Sequence, residues 1–337
     1  MDHKFLVSAY CFTYNHAPFI KYTLDGFCSQ KTTFPYLCII VDDASTDRND
    51  IEIANYVNTY FDKTVEGAFQ EETEDYISIY AQHKTNLNCW FTIILLKYNH
   101  YGKKAKGPYI SKWTESSKYL AACEGDDFWI SPEKLQEQVM FLENNPDYVL
   151  VHTDAIVVNQ YSQEIKCRKP SRISGNATEY LLKYGNFVTT ASTCFRNHRK
   201  ECNDIIKNIP FPLMLGDLPT WIILSTYGKF KFINQEMVAY RVLPESQSHF
   251  REIDKMIAFQ ENVKKISIYF NSLFNVGIEE DIFEKRFRIE VVRECAKISR
   301  LSFLKTWIKL VKDYPSQLLN KRMNALFFIR VILNKSR

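Results

Sequence analysis

The first sixty residues alternate between two periodicities, and that alternation narrows the fold more than any other feature of the chain. Lys4–Phe12 is a run apolar on both faces, which reads as a central parallel strand. Thr13-Tyr14-Asn15-His16-Ala17-Pro18 breaks it with turn and capping residues. A helix then runs to about Cys28, with Phe19, Ile20, Leu24 and Phe27 along one face. Tyr36–Val41 is a second buried strand. It ends in Asp42-Asp43-Ala44-Ser45-Thr46-Asp47, where Ser45, Thr46 or Asp47 caps the next helix, roughly Asp50–Phe61. Strand, helix, strand, helix in this order needs crossover connections. It predicts an α/β fold on a mainly parallel sheet flanked by helices.

The pattern recurs at Tyr119–Trp129. Tyr119, Leu120, Ala121, Ala122 and Cys123 form a short apolar strand that stops at Glu124-Gly125-Asp126-Asp127. Ligands of open α/β sheets bind at the carboxyl ends of the strands. Three carboxylates within four residues repel one another unless a cation lies among them, and hard oxygen ligands suit Mg2+ or Mn2+. An acidic surface turn bent at Gly125 is the plainer alternative. The following helix has Ser131 as N-cap, Pro132 in its first turn, Leu135, Val139 and Leu142 buried, and Pro146 as its stop.

Elsewhere the sequence predicts an acidic loop over Glu66–Asp75, a strand over Tyr76–Gln82 and a helix over Asn86–Asn99. Val149–Val158 reads as a strand, Glu164–Ile173 as an edge segment, Ala177–Tyr184 as a helix and Val188–Phe195 as strand-like. A helix starts at Asp217, two short strands follow at Lys229–Ile233 and Met237–Val242, and beyond about Arg251 only helices are expected. The expected division is 1–245 and 246–337.

Net charge is +4 overall, but it is unevenly placed: Arg251–Arg337 carries 18 Lys+Arg against 10 Asp+Glu, leaving −4 for the rest. The basic end suits an anionic membrane surface or polyanion. In Leu318–Leu333, Leu319, Met323, Leu326, Phe327 and Ile329 are interleaved with Lys321, Arg322 and Arg330, a pattern for a membrane interface, the catalytic domain or a second subunit. Nine scattered cysteines without a C-x-x-C pair suit reduced, buried thiols in a cytoplasmic protein. Neither a signal peptide nor a bilayer-length apolar run is read in the chain. Aromatic residues make up 15% of it, which suits stacking on flat ligands or sugar faces but more readily an aromatic-rich core.

The strand ends at Thr13-Tyr14-Asn15, Asp42-Asp43 and Glu124–Asp127 would share one edge, offering an aromatic plane, carboxylates and a metal-capable cluster. Those groups suit a nucleotide diphosphate. No Walker-type Gly-rich Lys loop and no G-x-G-x-x-G occurs, so phosphate would be held through metal.

Four motifs in order, V-S-A-Y-C-F-T-Y-N (7–15), I-I-V-D-D-A-S-T-D (39–47), C-E-G-D-D-F-W (123–129) and G-D-L-P-T-W (216–221), resemble the family 2 glycosyltransferases of the GT-A fold. The resemblance spans about residues 4–245. It implies a donor pocket lined by Thr13, Tyr14, Asn15 and Asp43, a metal ligand at Asp127 with Asp126 nearer the ribose, and a catalytic base at Asp217. It implies an inverting, Mn2+- or Mg2+-dependent transfer from a nucleotide-diphosphate sugar, with uridine the expected base, to a hydroxyl of a glycan or lipid-linked acceptor. A non-catalytic nucleotide-sugar-binding protein or a nucleotidyltransferase is the alternative. Nucleic acid is not an expected partner; peripheral membrane contact and oligomerisation stay open. Gly216 stands where many members carry Glu, and Tyr240-Arg241-Val242-Leu243 lacks the His of the usual Tyr-Arg-x-His. Asp217 also sits where Asp caps a helix. His152 reads as a satisfied core residue, and the loop lysines Lys103, Lys104 and Lys106 as diphosphate contacts or a solvated face.

Overall fold

The computed structural model describes residues 4–102, 106–165, 171–243, 252–319 and 325. Strands β1 (Val7–Thr13), β2 (Tyr36–Asp42), β3 (Phe61–Asp62), β4 (Phe69–Glu72), β5 (Tyr76–His83), β6 (Cys89–Leu96), β7 (Tyr119–Ala122), β8 (Phe128–Trp129), β9 (Tyr148–Val158), β10 (Cys194–Arg196) and β11 (Lys229–Arg241) form one sheet. Its order is β3-β5-β6-β2-β1-β7-β10-β9-β11-β8, with β4 paired to β5 outside that path. The centre, β6-β2-β1-β7, is wholly parallel, while β10 joins β7 and β5 joins β6 antiparallel.

Helices α1 (Ile20–Cys28), α2 (Asn49–Tyr60), α3 (Gly107–Thr114) and α4 (Lys134–Asn144) connect the central strands. Every residue of β2 is buried because β1 and β6 flank it and both its faces are covered. Tyr36, Cys38 and Ile40 belong to the main core with Leu24, Phe27, Ile53 and Val57, whereas Leu37, Ile39 and Val41 belong to a second cluster with Ile110 of α3. This is the two-faced burial that continuous apolar runs signal.

Four sequence expectations are corrected. Residues 86–99 hold strand β6 and no helix: C-W-F-T-I-I-L-L is rich in aromatic and β-branched residues and lies in register with β2. The acidic loop contains β4, which pairs with β5. The strand-like run at 188–195 divides into a 3-10 turn, Thr190–Ser192, and the short β10. The two short strands after 229 are one strand, β11, with register shifts near Ile233 and Glu236.

The remaining helices are α5 (Thr178–Tyr184), α6 (Arg199–Ile206), α7 (Asp217–Tyr227), α8 (Ile253–Leu273), α9 (Glu280–Ile298) and α10 (Arg300–Asp313). The chain divides into two compact units: Met1–Asn176, Phe187–Ile205 and Leu224–Leu243 in the first, and Ala177–Asn186, Ile206–Ile223 and Pro244–Arg337 in the second. Two segments upstream of residue 245 thus group with the C-terminal helices. In the second unit Met256, Val291, Val292, Cys295, Phe303, Trp307 and Leu310 form a core. Its basic stretch at 318–333 is described only at 318, 319 and 325; His249, Lys103, Lys104 and Cys167 also lie outside the described residues. The eight described cysteines are free. No helix among the described residues is long and apolar enough to cross a membrane.

Candidate active site

The parallel register sets Thr13 beside Asp42 and Tyr10 beside Ala122, so β1, β2 and β7 end at a common edge. The acidic turn after β7 keeps following β1: Cys123 N–H donates to the Tyr10 carbonyl and Gly125 N–H to the Phe12 carbonyl, each at 3.1 Å. Thr23 of α1 closes the turn from the other side, its hydroxyl donating to the carbonyls of Gly125 (3.1 Å) and Asp127 (2.6 Å). Glycine is required here by space. A Cβ on Gly125 would lie 2.4 Å from Thr13 Oγ1 and 2.9 Å from His16 Nδ1.

Asp127 is buried at 4% exposure, and its Oδ1 accepts the Arg241 backbone N–H at 2.7 Å. Burial pushes its carboxyl well above the usual range, repulsion from Asp126 adds to this, and the Arg241 amide opposes it. The Arg241 side chain, 1% exposed, donates from Nε to the Asp126 carbonyl at 2.8 Å and from Nη1 to the Asn159 carbonyl at 2.9 Å. Its guanidinium lies 4.5 Å from the Phe19 ring centre. Nη2 is buried without a hydrogen-bond partner among the described residues.

Those surroundings fit a divalent cation. Asp127 is a buried carboxylate crowded by a second one, and no described residue bonds to its Oδ2. Among the described residues no three His, Cys, Asp or Glu side chains converge on one point. A Mg2+-type site held by one or two carboxylates plus substrate phosphates needs no such group.

The neighbouring turns are tied together by side-chain hydrogen bonds, with Asn49 of α2 as a partner the sequence does not signal. Asp42 is buried; its Oδ1 accepts from Asn49 Nδ2 (2.7 Å) and Ser45 Oγ (2.6 Å), and its Oδ2 from Ser45 N–H (3.0 Å). Asn49 also donates to Thr13 Oγ1 at 3.1 Å. Asn15 takes a left-handed backbone, φ 55°, and its Oδ1 accepts the Thr46 N–H at 2.8 Å. Tyr14 between them is 42% exposed and free to stack.

Asp43 is enclosed. Its Oδ1 accepts the His100 N–H at 2.7 Å, and its Oδ2 the Lys106 ammonium at 3.1 Å. His100 Nδ1 donates to the Tyr98 carbonyl at 2.6 Å, which leaves Nε2 to accept from the Tyr109 hydroxyl at 3.0 Å. Lys106 is therefore committed to a carboxylate, a partner visible only once β6 is recognised as a strand ending beside β2. The structure brings Thr13, Tyr14, Asn15, Asp43, Asp126 and Asp127 together in the first unit. His152 Nε2 donates to the Ile173 carbonyl at 2.9 Å, as a satisfied core histidine does.

Asp217 belongs to the second unit, at the start of α7. Its Oδ1 accepts the Leu218 N–H at 2.7 Å and its Oδ2 the Asn186 amide at 2.6 Å. Burial raises its pKa against these bonds. A Cβ on Gly216 would meet nothing within 4 Å, so packing does not demand glycine there.

No family model matches the chain. It is 28% identical over 230 residues to an uncharacterised protein of Mycobacterium tuberculosis and to one of Mycobacterium bovis, covering 68% of this chain and 56% of theirs. The chain thus spans about half the length of these curated relatives. Among solved structures, residues 1–349 of S. aureus TarS in complex with UDP-GlcNAc superimpose with a TM-score of 0.53 at 15% identity, covering 95% of this chain and 83% of that one. The same TarS segment with UDP gives 0.51 at 16% identity. The likeness is one of fold: a GT-A-like α/β arrangement around a mostly parallel central sheet.

Proposed function

We propose that the chain is an inverting, metal-dependent glycosyltransferase that moves a sugar from a nucleotide diphosphate, with UDP the expected carrier, to a hydroxyl of a glycan or lipid-linked acceptor. The observation that carries this is the Asp126–Asp127 pair on a turn clamped to the carboxyl end of β1. The complex of TarS with UDP-GlcNAc, a structure of like fold, agrees with it.

In this reading Thr13, Tyr14, Asn15, Asp43 and Asp126 line the donor pocket. Tyr14 stacks on the base, and Asp43 contributes by anchoring Lys106 and the His100 backbone. Asp127, with Asp126 beside it, holds Mn2+ or Mg2+, which supplies positive charge to the departing diphosphate. Asp217 accepts the proton of the acceptor hydroxyl as that oxygen bonds to the anomeric carbon and the carbon–diphosphate bond breaks. Its raised pKa suits a base better than an ordinary exposed carboxylate does. One displacement inverts the anomeric configuration.

The test is release of nucleotide diphosphate from a panel of nucleotide sugars with and without Mn2+. Metal-dependent turnover that vanishes in Asp217→Asn while donor binding persists supports the reading. Binding without turnover, under every acceptor tried, favours a nucleotide-sugar-binding protein. We further propose that α10 touches an anionic membrane surface: Leu301 and Ile308 are 63% and 65% exposed, on one face with exposed Lys305, Lys309 and Lys312. Co-sedimentation with anionic but not neutral vesicles would support it; equal binding to both would refute it.

A further inference from the structure

A second aromatic feature lies toward the opposite edge of the sheet, where β1 and β2 begin. Leu37 pairs with Ser8 and Trp90 there, five residues before Asp42 and so roughly 16 Å along the strand from the candidate active site. A cavity of about 330 Å³ opens at this place, lined by Lys4, Phe5, Leu37, Phe69, Tyr80 and Trp113 with Lys112 at its margin. That volume is at the low end of the roughly 300–1,000 Å³ of small-ligand sites.

Two properties of the cavity and its surroundings narrow its ligand. Phe69, Trp113 and Tyr80 of the lining are stacked in succession, with centroids 6.1 and 5.3 Å apart and planes within 24°, and Trp90 continues the stack behind the lining, 5.0 Å from Tyr80. Cations flank the stack: the Lys4 ammonium is 5.0 Å from the Trp90 ring centre and the Lys112 ammonium 5.1 Å from that of Trp113. Lys112 faces Glu71 at 3.7 Å, but both are exposed and the pair is weak.

We propose that this cavity binds one sugar unit of an anionic glycan, away from the reaction centre. The C–H face of a pyranose packs on aromatic rings, and a carboxylate or phosphate on the glycan meets Lys4 and Lys112. Two cations around one cavity are unlike the extended basic groove that tracks a nucleic-acid backbone, and residues 1–250 carry a net −4. The choice of a glycan rests on the proposed function. A site of this kind would hold a growing acceptor chain near the enzyme and raise its effective concentration.

The test is titration of the purified full chain with oligogalacturonate and with phosphomannan, followed by tryptophan fluorescence, with neutral dextran, polyphosphate and oligo-dT as controls. At least one anionic glycan should bind saturably, and about tenfold more tightly than any control. Phe69→Ala and Lys112→Gln should each weaken that binding about tenfold, with far-UV circular dichroism unchanged. Failure of both anionic glycans to bind would overturn the proposal. So would equal binding of polyphosphate or oligo-dT, or binding that survives Phe69→Ala and Lys112→Gln. Asp127→Asn should leave this binding intact, so loss of turnover and loss of glycan binding report separately on the two proposals.

Discussion

The backbone N–H of Arg241, the last residue of β11, donates a 2.7 Å hydrogen bond to Oδ1 of Asp127, and the side chain of the same arginine reaches the carbonyl of Asp126. One residue thus holds the acidic turn by both its backbone and its guanidinium. Its positive charge partly offsets the carboxylates that repel each other there. Arg241→Met keeps the backbone bond but removes the buried charge. It should destabilise the fold by about 3 kcal/mol, as expected when a buried charged network loses one member. Urea unfolding measures this, and a loss below about 0.5 kcal/mol would show that the side chain does not support the turn.

Asp127→Asn should behave differently. Asn keeps an acceptor for the Arg241 amide and removes a charge that burial and Asp126 both disfavour. Metal-free stability should therefore be equal to or above wild type, while metal-dependent turnover falls on the order of 100-fold or more. Thermal unfolding without metal, beside a turnover assay with Mn2+, separates the two effects.

Gly125→Ala tests the close approach of the turn to β1. The added methyl would lie 2.4 Å from Thr13 Oγ1, so the turn or the strand end must shift. The expected cost is about 1–3 kcal/mol, typical of overpacking, together with loss of donor affinity. A variant with wild-type stability and wild-type affinity would show that the turn has room.

Stability should depend on pH through His152. Burial lowers its pKa from 6.5 to about 4 in the fold. A depressed folded value means that the stability is present above the unfolded pKa and is lost as pH falls from there toward the folded one, by up to about 3 kcal/mol. His152→Gln keeps a donor for the Ile173 carbonyl and cannot titrate. Urea midpoints at pH 7 and pH 4.5 should therefore fall more for wild type than for the variant; parallel falls would contradict the assignment.

Much of this was legible in the sequence because the signals were local. The apolar runs of β1, β2 and β7, each followed by polar turn residues, fixed the element types, and the parallel sheet follows from their alternation with helices. Partners distant in sequence were not legible. Lys106 looks like a free loop cation until it meets Asp43, 63 positions away. Asp42 looks like half of an acidic pair until Asn49 and Ser45 take up its oxygens. Asn86–Asn99 reads as a helix because a short apolar run has no decisive period; the pairing of β6 with β2 and β5 decides the matter. Arg241 stands in a Tyr-Arg-x-Leu run that lacks the usual histidine, and only its place at the end of β11 shows that it reaches the acidic turn.

Asp217 gives the pH dependence of the proposed reaction. A base works deprotonated, and burial raises this carboxyl above the ordinary Asp value of about 3.9. The acid limb of kcat/KM should therefore fall at a pH above that of a free carboxylate, and Asp217→Asn should abolish the limb along with turnover. An acid limb unchanged in the residual activity of Asp217→Asn would assign the base elsewhere.

The most direct measurement is donor binding by isothermal titration calorimetry, with UDP-GlcNAc and other nucleotide sugars, with and without Mn2+, on wild type and Asp127→Asn. At least one nucleotide sugar should bind wild type tenfold or more tightly with Mn2+ than without it, and the metal effect should disappear in Asp127→Asn. Donor affinity indifferent to Mn2+ in wild type, or a metal effect retained in Asp127→Asn, would contradict the claim that this acidic turn binds the donor through a cation.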